Sequence, residues 1–262
     1  MNLSIVDWFG YNLPPQERMR LIKEAGFSGI IGFMWTDMFD ANYKKFPEYA
    51  RNAGLHIENI HAMWAKANEL WIDNLDGQNF MEEIIENIKV CSSFEIPTIV
   101  MHPECKSGIE YAELPDDFNI GLERLKRITD IAEQFNINIA IENMARFEYL
   151  DVIFKNIKSN KLGFCFDSGH WNLFMNEHDL LTLYGNKLMA LHLHDNDGLD
   201  DWHSLPFSGS IDWKDIKTKL KSVDYKGSIA LEVGNKNFEH IKEPEKFLQI
   251  AVERAKKLIT MN

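Results

Sequence analysis

Short apolar runs rich in β-branched and aromatic residues alternate along the whole chain with stretches of helical periodicity. The runs predict eight strands, at Leu3–Trp8, Gly29–Trp35, Ile57–Met63, Thr98–His102, Asn138–Asn143, Leu162–Asp167, Leu188–His194 and Ser228–Val233. Amphipathic stretches predict helices over Pro15–Ala25, Tyr43–Ala53, Phe80–Phe94, Asp117–Phe135, Tyr149–Ser159, Glu177–Tyr184, Asp212–Ser222 and Glu245–Leu258. Gly26 and Gly54 directly follow two of them, where a helix commonly stops. Near-continuous apolar strands joined by crossover helices imply a parallel sheet covered on both faces. Eight such units in roughly 250 residues is the size of a closed barrel. An open doubly wound sheet is the alternative, but no glycine-rich phosphate turn follows the first strand. The expected fold is therefore α/β, a single (β/α)8 TIM barrel spanning residues 1–262, with no linker or composition break.

Composition narrows the setting. A chain of 262 residues, 45% hydrophobic, can bury one large core. A net charge of −12 argues against a nucleic-acid or anionic-membrane footprint. Met1–Trp8 has neither a basic segment nor a long apolar one, and no run approaches a membrane span. Cys91, Cys105 and Cys165 are scattered and odd in number, as expected of reduced thiols in a cytoplasmic protein.

The candidate chemistry lies at the strand ends. His61, His102, Glu142, Asp167 with His170, His192 with His194, and Glu232 close six consecutive predicted strands. The C-terminal mouth is where barrel active sites are built. Side chains two apart share a face, so Ala140, Cys165, Ala190 and Ala230 are expected beneath four of these groups, leaving room above them. Any one such His or Glu is more often a hydrogen-bonded or solvated rim residue. Several converging carboxylates would repel unless a cation neutralised them. Mixed imidazole and carboxylate donors suit Zn, Mn, Fe or Co better than Mg or Ca. Asp201 and His203 in the next loop could add two more donors, although Asp195, Asp197, Asp200 and Asp201 also read as an acidic turn in solvent. Ser210 or Asp212 suits a helix cap. Six of the seven Trp (Trp8, Trp35, Trp64, Trp71, Trp171, Trp202) fall in strand ends or βα loops, where flat faces suit a sugar or simply pack a lid.

These residues resemble the xylose-isomerase-like barrel superfamily of sugar-phosphate isomerases and epimerases, which also contains endonuclease IV. The resemblance spans the chain. Its specific stretches are Ile141-Glu142-Asn143, Phe166-Asp167-Ser168-Gly169-His170, His192-Leu193-His194-Asp195-Asn196-Asp197, and Asp201-Trp202-His203 running on to Trp213. It implies one divalent ion held by Glu142, Asp167, His192 and Glu232, as in the ketose-acting members. There Glu142 and Glu232 would also move protons, and His170 would contact substrate. The resemblance to endonuclease IV adds His61, His102, His170, Asp201 and His203, for a site of up to three ions, Zn or Mn.

The leading expectation is a metal-dependent carbohydrate isomerase or epimerase. It would work by proton transfer through a metal-stabilised enediolate on a small keto sugar, polyol or derivative. A zinc phosphodiesterase acting on DNA, or a barrel that only binds a sugar, are the alternatives. Acidic residues around the mouth, Glu104, Glu110, Glu113, Asp116, Asp117, Asp195, Asp197 and Asp200, oppose a phosphate backbone. The expected partner is thus a small carbohydrate, with neither membrane nor nucleic acid. The sequence leaves open the substrate, the ion and whether the chain forms a homo-oligomer.

Overall fold

The structure, a computed structural model, describes residues 2–34, 45–107, 110–111 and 113–261. Eight parallel strands form one sheet: β1 (Leu3–Val6), β2 (Gly29–Phe33), β3 (His56–His61), β4 (Thr98–Met101), β5 (Asn138–Glu142), β6 (Leu162–Asp167), β7 (Leu188–His192) and β8 (Ile229–Leu231). They pair in chain order, and β8 returns to β1 through Leu3↔Ile229. The remaining seam closes just above β7, where the Leu193 amide donates to the Ala230 carbonyl at 2.9 Å and the Glu232 amide donates to the Leu193 carbonyl at 3.1 Å. The sheet is a barrel, as the eight apolar runs anticipate.

Helices α1 (Pro15–Ala25), α2 (Phe46–Asn52), α3 (Leu75–Ser93), α4 (Asn119–Phe135), α5 (Phe147–Asn156), α6 (Ser168–Phe174), α7 (Leu180–Tyr184), α8 (Trp213–Ser222) and α9 (Pro244–Thr260) cover its outside. The outward strand residues, such as Ile99, Ile139, Ile141, Phe164, Phe166 and Leu191, are buried against them in the main apolar core. The α9 helix packs on both α1 and α8. No helix among the described residues is long and apolar enough to cross a membrane.

Where boundaries differ from the sequence pattern, side-chain caps explain it. Helix α3 starts five residues before the expected Phe80, because Asn74 accepts a hydrogen bond from the Gly77 amide and starts the helix there. The helix expected over Glu177–Tyr184 shrinks to α7, capped by Asp179. The additional helix α6 follows β6 at once, because Asp167 caps it by accepting from the His170 amide at 2.7 Å. A two-stranded hairpin, Lys106–Ser107 with Glu110–Tyr111, was not signalled by periodicity. Trp35 and the start of the helix expected from Tyr43 lie outside the described residues.

Inside the barrel, Val100, Ala140, Cys165 and Ala190 form a separate small cluster. Three of the four small residues expected beneath the mouth are therefore together. Ala230 is equally buried but packs with the main core. The register sets Asp167 beside His192, two residues above the paired Cys165 and Ala190, and Glu142 beside Cys165, so the polar strand ends follow directly on this floor. Enlarging the floor should strain the layer above it. Ala190→Leu is expected to cost about 1–3 kcal/mol of stability, to be read from chemical denaturation followed by Trp fluorescence.

Candidate functional site

A cavity of about 660 Å³ opens at the C-terminal mouth of the barrel. It is within the range of small-molecule sites. Its walls include Trp8, Phe33, Trp64 and Tyr111, its rim Lys106 and Lys236, and its floor the polar strand ends. Seven of the nine sequence-predicted donors line it: His61, His102, Glu142, His170, Asp201, His203 and Glu232. Asp167 and His192 sit behind them, fully buried. The structure brings all nine into one constellation.

Glu142 is its hub. The carboxylate is fully buried and lies 3.2 Å from His61 Nε2, 3.5 Å from His102 Nε2, 3.3 Å from His170 Nδ1 and 3.1 Å from His192 Nδ1. On its other side His192 Nδ1 is 3.1 Å from Glu232, so one imidazole separates the two glutamates. Asp201 forms a second focus, 3.4 Å from His170 Nε2 and 3.2 Å from His203 Nε2.

The tautomers are set from behind. Backbone carbonyls only accept, so His61 Nδ1 donates to Ala62 O at 2.7 Å, His170 Nδ1 to Asn143 O at 3.1 Å and His203 Nδ1 to Glu232 O at 3.0 Å. His192 reaches Asn59 Oδ1 through Nε2 at 3.3 Å. In each ring the remaining nitrogen faces the cluster, the arrangement that orients a metal-binding histidine.

Burial alone would raise the Glu142 carboxyl, but the neighbouring imidazoles, His192 foremost, hold it well below the usual carboxylate range. Glu232 is likewise depressed, since His192 outweighs its desolvation. His170 moves the other way: burial disfavours its charge, yet Asp167 and Asp201 raise it well above an ordinary imidazole. His102 is lowered by burial. The site is a mosaic of buried opposite charges.

That mosaic is incompletely bonded. Both Glu142 oxygens, Asp167 Oδ2, Asp201 Oδ1, His102 Nδ1 and His192 Nδ1 are buried without a hydrogen bond. His61 and His102 also face each other Nε2 to Nε2 at 3.0 Å. Orphaned acceptors and opposed imidazole nitrogens are the donor set a divalent cation would satisfy. One ligand atom each from Glu142, Asp167, His192 and Glu232 lies within 4.8 Å of the others, and so it is for His61, His102 and Glu142.

Two expectations need correction. Glu104 is not on an acidic rim: it is fully buried, accepts from the Arg146 amide at 2.7 Å, and burial pushes its carboxyl up to about 7. Asp195 is not a solvated turn residue either. It is fully buried and accepts from the Asn196 amide at 3.0 Å, the Ser208 amide at 3.1 Å and Trp213 Nε1 at 2.8 Å, which pins the loop carrying Asp201 and His203. Of the Trp residues described, Trp8 and Trp64 line the cavity, whereas Trp71 is buried against Phe118 and Tyr149. Asp212 caps α8 as anticipated.

Sequence reasoning also missed the support of Trp8. Arg18 is buried with its guanidinium 3.1 Å from Asp7 and 5.2 Å from the Trp8 ring centre. Only the adjacency of Asp7 to the end of β1 hinted at it. His194, which the sequence pattern sets with His192 at the end of its strand, is buried with Nε2 3.1 Å from Asp167 Oδ1.

An α/β barrel with converging carboxylates and imidazoles at its mouth defines the class of protein. The family model described as "Xylose isomerase-like TIM barrel" matches residues 19–258, and the chain belongs to that family. Its relatives include sugar epimerases and isomerases. D-psicose 3-epimerase of Agrobacterium fabrum is 25% identical over 168 residues, 60% of this chain and 55% of that one. A probable endonuclease 4 of Mycoplasma mycoides subsp. mycoides is 27% identical over 46% of each chain. Among solved structures, the IOLI protein with a binding zinc atom superposes with a TM-score of 0.77 at 17% identity, covering 99% of this chain and 96% of that one.

The Asp195 anchor gives a direct check. Asp195→Asn exchanges charge-assisted acceptors for a neutral amide and should cost about 1.5–3 kcal/mol, measured by urea denaturation.

Proposed function

We propose that this protein is a metal-dependent isomerase or epimerase of a small keto sugar, polyol or derivative. The observation that carries the reading is the buried pair Glu142 and Glu232 on either side of His192, beneath a cavity of about 660 Å³ walled by aromatic rings. Glu142, Asp167, His192 and Glu232 would hold one divalent ion, Zn or Mn, and His61, His102, His170, Asp201 and His203 would extend the site to further ions. A bound ion supplies Lewis acidity toward a substrate carbonyl.

The chain's own groups do the rest. Glu142 ends β5, Glu232 directly follows β8, and both are held ionised, so each is ready to accept a proton from a carbon held above them in the cavity. One takes the proton and the other returns it to the opposite face, which inverts or relocates the stereocentre. His170, fixed by Asn143 O, presents Nε2 toward the cavity to orient a substrate hydroxyl. The rings of Trp8, Phe33 and Trp64 offer apolar faces to sugar C–H groups. The family name and the epimerase relative support this class of substrate.

The phosphodiesterase alternative draws on the endonuclease relative, which aligns over less than half of the chain. The cavity rim offers Lys106 and Lys236 against a chain of net charge −12. Duplex binding draws most of its affinity from neutralised phosphates, for which this rim is poorly equipped.

Glu142→Gln and Glu232→Gln should each lower turnover by about 10²–10⁴-fold, with the fold intact by circular dichroism. In deuterated water the metal-loaded protein should place deuterium on a carbon next to the carbonyl of a ketose or inosose. Incision of abasic duplex without isomerisation of any sugar would sink the proposal.

The ion itself is separately testable. The ligand imidazoles must shed protons to bind it, so affinity should fall as pH is lowered and uptake should release protons. Isothermal titration in buffers of different ionisation enthalpy measures both. Fewer than about 0.1 ion per chain after adding Zn or Mn would end the assignment.

A further inference from the structure

The loops that follow β3 and β4 form one side of the cavity, with Trp64 and Ala65 from the first and Cys105, Lys106 and Tyr111 from the second. Asn68, half-buried in the short 3-10 helix Ala67–Trp71, reaches from the first loop to the second. Its Nδ2 donates to the Cys105 carbonyl at 2.8 Å, and its Oδ1 accepts from the Cys105 amide at 2.9 Å. Cys105 lies outside both β4 and the hairpin, so this carboxamide meets the main-chain groups that a neighbouring strand would otherwise satisfy. Trp71 Nε1 also donates to the Pro103 carbonyl at 2.6 Å, and Cys105 Sγ to the Ala65 carbonyl at 3.6 Å. Asn68 itself does not line the cavity.

The segment carrying Asn68 is fixed from behind. Arg124 of α4 is buried, and its guanidinium donates to the carbonyls of Glu69, Leu70, Ile72 and Asn74 at 2.6–3.1 Å. Gly77 of α3 makes room for it, since a Cβ there would lie 2.2 Å from the guanidinium. Gly121 of α4 does the same for Trp71, whose ring a Cβ would approach to 2.0 Å. A buried guanidinium must have its donors met, and meeting them with carbonyls alone fixes the path of the main chain. Asn68 therefore reaches Cys105 from a stiff base.

We propose that Asn68 is a positioning residue for substrate choice, coupling the Trp64 and Tyr111 walls so that the cavity selects ketoses by chain length. The inference rests on the sugar reading above and deepens it by naming the substrates preferred and the residue that enforces the preference. The carbon that exchanges its proton must sit at the floor, near Glu142 and Glu232, so the remaining carbons rise between the walls. Tyr111 is braced there by Phe174, edge-on at 5.1 Å, and by the Lys106 ammonium 5.7 Å from its ring centre. Aromatic faces at a fixed spacing grip a six-carbon chain and hardly touch a four-carbon one. Contacts with carbons that do not react are equal in ground and transition states, so their loss raises KM and leaves kcat alone.

Two variants test this. Asn68→Asp keeps the shape and the acceptor but sets an anionic oxygen against the Cys105 carbonyl, and Asn68→Ala removes both bonds. Two hydrogen bonds are together worth about 10- to 100-fold in an equilibrium constant. Each variant should raise KM about tenfold for the ketohexose that the wild type turns over best, with kcat within about twofold. The KM for the ketotetrose erythrulose should stay within about twofold of the wild type. Equilibrium titration with the same sugars, followed by Trp fluorescence, should show the same contrast without turnover. A general loss of structure would lower kcat or weaken both sugars alike, and either result overturns the proposal, as does an unchanged KM for the ketohexose. The link between the loops is read separately from alkylation of Cys105 by iodoacetamide, located by peptide mass, with the fully buried Cys91 and Cys165 as references. It should quicken at least about tenfold in both variants, as expected where local opening becomes easier. Unchanged alkylation overturns the coupling, whatever the sugars do. Quickened alkylation in a protein that binds no ketose defeats the sugar reading, and the coupling of the walls stands.

Discussion

Everything at the barrel mouth depends on Glu142, a carboxylate with no exposure to water and four imidazoles within 3.5 Å. A buried anion is tolerated only when opposite charge surrounds it. That requirement fixes the level at which five strands must end, since His61, His102 and His192 come from β3, from the end of β4 and from β7, and His170 from the first turn of α6. A slip of one residue in any of these strands would turn its charged end toward the helices. The electrostatics of the site and the register of the sheet are thus one constraint.

The scaffold divides the work between rigid and adjustable parts. Glu142 and His192 stand on strands inside the continuous hydrogen-bonded wall, and Asp167 both ends β6 and starts α6. Asp201 and His203 stand on a long loop, whose order derives from the buried Asp195 and from Asn196, whose side chain donates to Gly169 O at 2.8 Å. Chemistry that demands sub-ångström placement falls on the strands, and shape that distinguishes substrates falls on the loops.

Much of this was legible in the chain. Eight apolar runs, each followed by helical periodicity, suffice for the barrel because strand and helix periods differ strongly. The donors were legible because they end consecutive strands, and parity placed Ala140, Cys165 and Ala190 beneath them. What escaped was long-range. No local pattern says that Glu104 is buried beside Arg146, or that Asp195 meets Trp213 eighteen positions on. Acidic residues in a loop look solvated until tertiary donors are known. His194 is visible in the sequence as a strand end, but its carboxylate neighbours come from β6 and from its own loop, so those contacts appear only when both are in place.

The histidine supports have a consequence for how such a protein diversifies. Three of the imidazoles are oriented by peptide carbonyls, at Ala62, Asn143 and Glu232, not by side chains. A carbonyl is present whatever residue occupies the position, so drift in the surrounding sequence cannot erase it. Lineages can therefore exchange the aromatic walls and rim residues freely, acquiring new substrates, while the orientation of those rings is inherited with the backbone path itself.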